Sequence, residues 1–406
     1  MMHILSWPAI YALELTPACN NRCPGCSNIY RYARQPAPTD AATWERWLAE
    51  FGPEAVQIRL TGGEPTMHPE FLRILSAATG YDAWVTVFTN GRWKAPRRLV
   101  RQLRGWPRLS GLLVSLHGAH PESHEGFSGV KGSFHETVRN IRLALDAGIT
   151  VALSTIITRQ SLTELQSVVE LAQSLGVQHV AFNRYLGTSN SEIEPTHDEM
   201  GSAVTEIQGM IRAGLPVKYG IGMPQCFQLN NSEGCLAGVA YVAVDPWGRV
   251  HPCAHSASLV GSLYETSLAQ LWRSPAMDDW RARMPEPCIG CTAYAACHGG
   301  CRAIQELRPD GRDPLRSFPL AEYCPTQSPL DLPATARPKL NVRLRPEPFG
   351  YALLSQGQVL PICSEARGVI EACDGVATLA ELASRFGQSG LDLLGDLQEL
   401  GILQLC

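Results

Sequence analysis

Three cysteines near the start of the chain have a spacing that could hold an iron–sulfur cluster. Cys19, Cys23 and Cys26 stand in the pattern Cys-x3-Cys-x2-Cys. Three thiolates on one short loop can bind three irons of a 4Fe–4S cluster and leave the fourth iron open to a substrate or cofactor. A zinc site or buried thiols are the alternatives, but structural zinc sites use four ligands, and His3 is the only further candidate nearby.

A second series of cysteines follows a cysteine-free interval from residue 27 to residue 225. Clustered cysteines in a reducing compartment more often bind metal or do chemistry than form disulfides. A zinc ribbon formed by the four cysteines between 288 and 301 is the alternative, and it leaves the upstream cysteines unexplained. The members of the series are Cys226, Cys235, Cys253, Cys288, Cys291, Cys297, Cys301 and Cys324.

Short apolar runs alternate with amphipathic stretches between residues 11 and 184. The pattern predicts an α/β fold in which a parallel sheet curls into a partial (β/α)6 TIM-like barrel, closed by a helix at about 196–213. The predicted strands are Tyr11–Leu15, Val56–Leu60, Trp84–Phe88, Leu112–Leu116, Val151–Ile157 and Val180–Phe182. The predicted helices between them are Ala41–Phe51, Glu70–Ala78, Arg97–Leu103, Phe134–Ala147 and Leu162–Leu175.

The distinctive polar and glycine residues follow the ends of the predicted strands. Cys19 follows the first strand, Gly62–Pro65 the second, Thr89–Gly91 the third and Ser115–Gly118 the fourth. In such barrels the chemistry takes place at the carboxyl ends of the strands. The fold and the site therefore support each other.

Two of these motifs resemble the radical S-adenosylmethionine (SAM) superfamily. The cysteine spacing is similar to that family's cluster motif, and Gly62-Gly63-Glu64-Pro65 resembles its GGEP motif. The resemblance implies that the open iron chelates SAM, and that reductive cleavage yields a 5′-deoxyadenosyl radical that abstracts hydrogen from a substrate. It also implies that Gly62, Gly63, Glu64 and Pro65 hold the methionyl amino group, the glycines by close approach and Glu64 by accepting a hydrogen bond.

The same resemblance implies further cofactor contacts and shows one departure. The residue before the third cysteine is usually aromatic in the family and packs near the adenine, but here it is Gly25. The further expected contacts are Thr89, Asn90, Ser115, Ser154, Asn183 and Arg184.

The order of the later cysteines resembles the SPASM extension of radical SAM enzymes, which holds up to two auxiliary 4Fe–4S clusters. The resemblance implies that Cys226, Cys235, Cys253 and Cys301 hold the first auxiliary cluster. It assigns Cys288, Cys291, Cys297 and Cys324 to the second, which makes three clusters in all. The spacing from Cys226 to Cys235 is looser than in relatives, and without Cys226 the first auxiliary cluster has an open iron. An auxiliary cluster can accept the electron that a substrate radical loses when a bond closes.

The end of the chain predicts a separate winged-helix-like α+β domain. Leu340–Leu344, Tyr351–Leu354 and Val359–Ile362 are predicted strands, and three short helices follow, one of them opened by a capping box at Thr378. This part resembles the PqqD-like element that binds leader peptides of ribosomally made, modified peptides (RiPPs). The resemblance implies that a leader adds as a strand at about Gln358–Ile362 and touches Leu391–Leu400. The alternative is a structural or DNA-binding helix–wing module.

Composition excludes several other classes of protein. The chain has 406 residues, 45% apolar and 18% charged, with a formal net charge of −4, which disfavours nucleic acid as a partner. No apolar run could span a membrane and no secretion signal opens the chain, so we expect a cytoplasmic protein. Seven basic residues between 92 and 108 predict a docking surface for an acidic flavodoxin or ferredoxin, with a solvated basic face as the alternative. They are Arg92, Lys94, Arg97, Arg98, Arg101, Arg104 and Arg108.

The sequence therefore predicts a radical SAM/SPASM peptide maturase with domains at residues 1–215, 216–330 and 339–406. Oxidative carbon–carbon or thioether cross-linking of a core peptide is the expected reaction. A protein maturase like the anaerobic sulfatase-maturing relatives is an alternative, but Ala254 stands where those have an aspartate. A small-molecule enzyme acting on haem and a non-catalytic iron–sulfur redox sensor are the others. A redox sensor would leave Gly62–Pro65 unexplained.

Overall fold

One sheet of ten strands joins the N-terminal and middle parts of the chain, in the order β10-β9-β8-β1-β2-β3-β4-β5-β6-β7. The computed structural model describes residues 2–28, 39–187, 190–220, 223–227, 234–308, 310–316, 330, 332–355 and 357–405. Cys324, one of the predicted cluster ligands, lies outside the described residues. The strands are β1 (Ile10–Glu14), β2 (Gln57–Thr61), β3 (Trp84–Thr89), β4 (Leu109–Ser115), β5 (Val151–Ile157), β6 (Val180–Arg184), β7 (Val217–Tyr219), β8 (Tyr241–Val244), β9 (Arg249–His251) and β10 (Gly261–Ser262).

The strands from β8 through β1 to β7 run parallel, so the polar residues at their carboxyl ends meet at one edge. All five residues of β1 are buried, as expected for a strand covered on both faces. The helices that cover the sheet are amphipathic, and α1 buries Trp44, Leu48 and Phe51. Asp40 caps the N-terminus of α1, where its carboxylate accepts from the Thr43 amide at 2.9 Å. These side chains join the strand interiors in one core.

Within the described residues, seven helices accompany the barrel strands and four short ones belong to the middle region. The first set is α1 (Ala41–Phe51), α2 (Phe71–Ala78), α3 (Pro96–Leu103), α4 (Pro121–Ser128), α5 (Ser133–Asp146), α6 (Leu165–Leu175) and α7 (His197–Arg212). The second set is α8 (Leu268–Trp272), α9 (Pro275–Ala282), α10 (Tyr294–Cys297) and α11 (Arg302–Glu306). Short 3-10 turns lie at Gly52–Glu54, Pro65–Met67, Leu162–Glu164, Glu286–Cys288 and Ser364–Ala366.

The six predicted barrel strands and their helices are confirmed, with small shifts at their ends. The sequence missed α4 and the extension of the sheet. Strand β7 pairs with β6, and β8 pairs with β1, so the sheet continues past residue 215, where a domain boundary was expected.

The C-terminal region carries a three-stranded antiparallel sheet and a separate two-stranded sheet. Its elements are β11 (Pro338–Leu340), β12 (Arg343–Glu347), β13 (Gly350–Ser355), β14 (Gln358–Ile362), α12 (Arg367–Ala372), α13 (Leu379–Glu399) and β15 (Leu403–Leu405). The single strand predicted at 340–344 is wrong, because β11 pairs with β15 and β12 pairs with β13. The Thr378 capping box is confirmed, and the two helices predicted after it are α13, interrupted at Gly387 (φ 66°, ψ −164°).

Candidate functional site

Cys19, Cys23 and Cys26 lie on one loop after β1, with their thiols close enough to influence one another. Burial raises the pKa of Cys19 to about 11 and that of Cys23 to about 12, and the Cys26 thiol raises both further. Such thiols stay protonated until a cation displaces the proton, which is the behaviour of a cluster ligand. The Asn21 amide donates to Cys19 Sγ at 3.4 Å, and Asn90 Nδ2 lies 3.7 Å from the same sulfur. The residues fit an iron–sulfur cluster.

Gly62 and Gly63 bring the end of β2 against this cysteine loop. A Cβ on Gly62, which has φ +127°, would lie 2.6 Å from Thr16 O, and one on Gly63 would lie 2.3 Å from Ala18 O. The Gly63 and Glu64 amides donate to those same carbonyls at 2.7 and 2.8 Å. Only glycine permits this approach, so the two glycines let the end of β2 pack directly against the backbone that precedes Cys19.

The Glu64 carboxylate is fully enclosed and ties β2 to β3. It accepts from Thr66 Oγ1 at 2.6 Å, from Thr89 Oγ1 at 2.8 Å and from the Asn90 amide at 2.7 Å. Burial raises its pKa, and the hydrogen bonds oppose that rise. Pro65 is buried at the start of the next turn. Glu64 thus has a structural role, and its contact with a cofactor ammonium stays a prediction.

The residues after β3 hold the cysteine loop from its other side. Asn90 Nδ2 donates to Asn20 Oδ1 at 2.7 Å. The Arg92 guanidinium donates to Asn20 O at 2.7 Å and pairs with Glu136 at 2.9 Å. Arg92 therefore faces the cysteine loop. Its guanidinium is not part of the exposed basic surface around α3.

Ser115, Ser154 and Asn183 form a polar row across β4, β5 and β6. Ser115 and Ser154 are paired in register, and Asn183 Nδ2 donates to Ser154 Oγ at 3.0 Å. The structure thus brings these predicted residues together at the carboxyl ends of their strands, while their contact with a cofactor stays a prediction.

Arg184 has an ion-pair partner in the structure, while its contact with a cofactor stays a prediction. Its guanidinium forms a bidentate ion pair with Asp313 at 2.8 and 2.9 Å, and the two side chains are 2% and 0% exposed. Asp313 Oδ2 also accepts from the Cys301 amide at 3.3 Å. The ion pair therefore connects the barrel to the second cysteine series.

Cys235, Cys253 and Cys301 form the first auxiliary group. The Cys235 thiol raises the pKa of both Cys253 and Cys301, after the larger effect of burial, and Arg184 lowers that of Cys301. His255, two residues beyond Cys253, interacts with the Ser27 backbone next to Cys26. The first auxiliary group therefore adjoins the loop of the first cluster.

Cys226, Cys288, Cys291 and Cys297 lie together in the structure, whereas the predicted grouping placed Cys226 with Cys235, Cys253 and Cys301. All four line one cavity, and the other three thiols all raise the pKa of Cys288 to about 11 after burial. The sequence had assigned Cys226 to the first group, because it precedes Cys235 in the chain. Which cluster Cys226 would bind stays a prediction.

Among the described residues, no group of three His, Cys, Asp or Glu side chains is placed to hold a single metal ion. A 4Fe–4S cluster differs because each thiolate binds its own iron. No helix in the described parts of the chain is long and apolar enough to cross a membrane.

Residues 13–172 match the family model of the radical SAM superfamily, and residues 235–292 match that of SPASM, an iron–sulfur cluster-binding domain. The chain therefore contains a radical SAM domain followed by a SPASM domain. The radical SAM match covers the Cys19 loop, the Gly62–Pro65 turn, and Ser115 and Ser154 of the polar row. The SPASM match begins at Cys235 and includes Cys288 and Cys291.

The relatives and solved structures agree with this assignment. A PqqA peptide cyclase of Gluconobacter oxydans (strain 621H) is 28% identical over 320 residues, which covers 74% of this chain and 87% of the relative. An AdoMet-dependent heme synthase of Methanosarcina barkeri (strain Fusaro / DSM 804) is 27% identical over 337 residues, covering 75% and 93%. The crystal structure of Streptococcus suis SuiB bound to S-adenosylmethionine has a TM-score of 0.65 at 17% identity, covering 77% of this chain and 78% of that chain. SuiB bound to its precursor peptide SuiA gives 0.65 at 18%, covering 76% and 75%. At these identities the two structures establish the fold.

Position 25 carries no aromatic side chain, but the rings of Tyr185 and Phe127 lie against Gly25. A Cβ on Gly25 would lie 2.6 Å from Tyr185 Cε2 and 3.0 Å from Phe127 Cε2. A Cβ on Gly187 would lie 2.1 Å from Tyr185 Oη. The two glycines therefore enclose the Tyr185 ring beside the cysteine loop, which accounts for the departure from the family pattern.

The sequence reasoning missed two charged residues of the barrel strands, Arg59 and Glu14. The Arg59 guanidinium lies over the rings of Phe88 and Tyr241, at 5.8 and 5.5 Å from their centroids. Glu14 is 3% exposed and raises the pKa of Tyr241 and Cys253. The available signal was a charged residue within each of two predicted buried strands, Glu14 in the first and Arg59 in the second.

Proposed function

We propose that this radical SAM protein modifies a ribosomally made precursor peptide, by oxidative carbon–carbon or thioether cross-linking of its core. The observation that carries the proposal is the juxtaposition of two cysteine groups: His255, beside Cys253, interacts with Ser27, beside Cys26. A bound peptide at this junction would lie within reach of both groups. The cysteine usage favours a cytoplasmic location, where thiols stay reduced.

The relatives favour a peptide as the substrate. One is a PqqA peptide cyclase, and the SuiB structure contains a precursor peptide. When bound, the first cluster and SAM would supply a carbon-centred radical, and the auxiliary clusters would accept the electron that bond closure releases. Cys19, Cys23 and Cys26 would hold the first cluster, and Asn90 would donate to Cys19.

The C-terminal sheet supports binding of a leader peptide. Strand β14 is at the edge of its sheet in the described residues, and β12 at the other edge is covered, because Arg343 and Arg345 donate to Pro53 O and Trp7 O at 3.0 and 2.6 Å. A leader would add to β14 and contact the second half of α13. Pro361 is compatible with an edge strand, where one missing donor is tolerated.

The basic residues around α3 support docking of an acidic flavodoxin or ferredoxin. Lys94, Arg97, Arg98, Arg101 and Arg104 are exposed, whereas Arg108 pairs with Asp82. Arg92 links this surface to the cysteine loop. Changing Arg97, Arg98 and Arg101 to Glu should slow flavodoxin-driven turnover and flatten its salt dependence, but leave dithionite-driven turnover intact. Unchanged flavodoxin kinetics would remove this part of the proposal.

The peptide proposal is tested with the small open reading frame nearest the gene. The peptide is incubated anaerobically with the loaded enzyme, SAM and a reductant, and we expect the loss of two hydrogens per cross-link together with 5′-deoxyadenosine. A variant with Cys19, Cys23 and Cys26 changed to Ala is the control and should give neither product. Deoxyadenosine without any change in peptide mass, and no binding of the peptide to the full chain, would refute the peptide assignment.

The haem synthase relative makes a haem precursor the second candidate substrate, because this chain aligns with 93% of that protein. The same incubation with an iron porphyrin separates the candidates. A SAM-dependent change in porphyrin mass with no change in any peptide would favour this alternative.

A further inference from the structure

A charged side chain, Arg59 in the middle of β2, lies inside the barrel. We propose that Arg59 binds a carboxylate of the substrate. The carboxylate belongs to an acidic residue or the chain end of a peptide, or to a propionate of a porphyrin. The proposal rests on the proposed function for the identity of the substrate, and it specifies the charge that this substrate presents to β2.

Arg59 faces the interior of the barrel. Its neighbours in β2, Ile58 and Leu60, are fully buried in the core shared with the helices, so Arg59 projects from the opposite face of the sheet. On that face its register partner is Ala12 of β1, which packs with Ala243 of β8. The small alanines leave room for a long side chain across them. Arg59 is only half-buried there, so open space adjoins it.

Two aromatic rings and one side-chain amide hold the Arg59 guanidinium. Its Cζ lies 5.8 Å from the ring centroid of Phe88 and 5.5 Å from that of Tyr241. Its Nε donates to Gln57 Oε1 at 2.8 Å. Within the described residues, neither of its two Nη atoms has a hydrogen-bond acceptor. The edge of the guanidinium that carries two parallel N–H groups is therefore open.

No carboxylate of the described residues pairs with this guanidinium. A cation inside a fold is costly unless it is paired, and aromatic faces offset only part of that cost. Glu14 lies on the adjoining strand, but its register partner is Thr61, two residues beyond Arg59 toward the cysteine loop. Its charge would repel a carboxylate that does not reach Arg59. A carboxylate that does reach it can accept two parallel hydrogen bonds from the open edge.

Binding of a carboxylate is tested first without peptide or porphyrin. The full chain, loaded anaerobically with iron and sulfide, is treated with phenylglyoxal, which modifies accessible guanidinium groups, and the labelled sites are mapped by mass spectrometry. N-acetylglutamate N-methylamide should slow the labelling of Arg59 severalfold, whereas the corresponding glutamine compound should not. Arg46, an exposed arginine of α1, is the matched control and should label equally with both. Equal labelling of Arg59 with the two compounds would overturn the proposal, as would an Arg59 that resists labelling when neither is present.

Kinetics then identify the source of the carboxylate. With the precursor peptide, Arg59→Gln should raise KM about ten- to a hundredfold, because a hydrogen bond to a charged group contributes roughly that factor. Changing one acidic residue of the core peptide to its amide should raise KM similarly with the wild type, and should add nothing with Arg59→Gln. Arg59→Lys should recover part of the loss, since it keeps the charge without the two parallel donors. For an iron porphyrin, the dimethyl ester replaces the amide peptide in the same comparison.

Two further readouts separate the possible outcomes. The SAM-induced change in the EPR signal of the first cluster should persist in Arg59→Gln, and the labelling experiment needs no variant, so poor folding of a variant does not decide the result. Additive losses in KM from Arg59→Gln and from every amide or ester change would overturn the proposal. If neither substrate were modified while the glutamate compound still protected Arg59, the proposed function would fail and carboxylate binding at Arg59 would stand.

Discussion

Gly25 is a residue whose role depends on a side chain far away in sequence. The Tyr185 ring fills the space beside it and is enclosed on its other side by Gly187. Protein interiors are packed densely, so a new ring at position 25 could enter only if Tyr185 moved. The aromatic ring beside the cysteine loop is thus supplied by Tyr185, after β6, and not by the residue at position 25.

Gly25→Phe should therefore reduce iron loading and weaken SAM binding, and Gly25→Phe with Tyr185→Ala should recover both. Iron per chain and the SAM-induced change in the EPR signal of the first cluster measure the effect. Gly201→Ala on α7 is the control, since its Cβ would meet open space. If the single variant loaded iron and bound SAM normally, steric exclusion by Tyr185 would be disproved.

His117 and His124 are buried histidines that should make stability depend on pH. Burial lowers the pKa of His117 to about 3 and that of His124 to about 4. The unfolded chain, with ordinary pKa values near 6.5, binds protons that the folded state excludes, so stability is retained above about pH 6.5 and lost as the pH falls. Each histidine should cost about 2 kcal/mol at pH 5. Denaturant unfolding of His117→Gln at pH 7 and pH 5 should show a smaller loss, while exposed His135→Gln should keep the wild-type loss.

Residue chemistry was predictable where ligands are close in sequence. Cys19, Cys23 and Cys26 stand on one loop, and Gly62 and Gly63 pack against it as their small size requires. The cavity that Cys226 lines with Cys288, Cys291 and Cys297 was not foreseen, because it brings together residues that are far apart in the chain. The ion pair of Arg184 was not foreseen either, since its partner Asp313 is 129 residues away.

At the level of elements, the ion pair of Arg184 and Asp313 joins β6 to the segment beyond α11. Both side chains are almost fully buried. Removing one partner of such a pair leaves a buried charge uncompensated, which typically costs about 3–5 kcal/mol.

Asp313→Asn should therefore lower the free energy of unfolding by about that amount, and Arg184→Met with Asp313→Asn should recover part of it. Denaturant unfolding measures this effect. The EPR signal of the first auxiliary cluster should also shift, because Asp313 accepts from the Cys301 amide. Glu45→Gln, in the exposed pair with Arg73, should change neither quantity. A double variant less stable than Asp313→Asn would contradict the argument.

The barrel elements were predictable because their strands are continuous apolar runs and their helices are amphipathic. Strands β8 to β10 were missed, since four, three and two residues carry little periodicity by themselves. Their pairing is long-range: Leu13 of β1 is in register with Val244 of β8. Two helices separated by a loop were predicted where α13 lies. The helix is interrupted there only at Gly387.

For the whole molecule, the C-terminal sheet lies against the end of the barrel opposite the cysteine loop. Ala352 and Leu354 of β13 pack with Ile10, Val56 and Ala240, which stand at or just before the starts of β1, β2 and β8. The catalytic loops follow the other ends of the strands. A leader bound at β14 and a core peptide at the cysteine loop would therefore be separated by at least the length of β1. Its five residues span about 17 Å at about 3.3 Å each.

The spacer between leader and modified residue must cover this distance. An extended chain spans at most about 3.3–3.6 Å per residue, so a spacer shorter than about five residues cannot reach, and a path around the barrel needs more. We expect successive deletions in the spacer to abolish modification abruptly while the leader still binds with unchanged Kd. Gly-Ser insertions should lower the rate only gradually, because effective concentration falls slowly with linker length.

Mass spectrometry of the product and fluorescence anisotropy of the labelled leader measure the two quantities separately. A matched spacer series on a peptide without its leader controls for length alone and should show no threshold. If modification persisted at a spacer of two or three residues, the leader could not be bound at β14 while the core reacts at the cysteine loop. Binding at the barrel mouth itself would then be required.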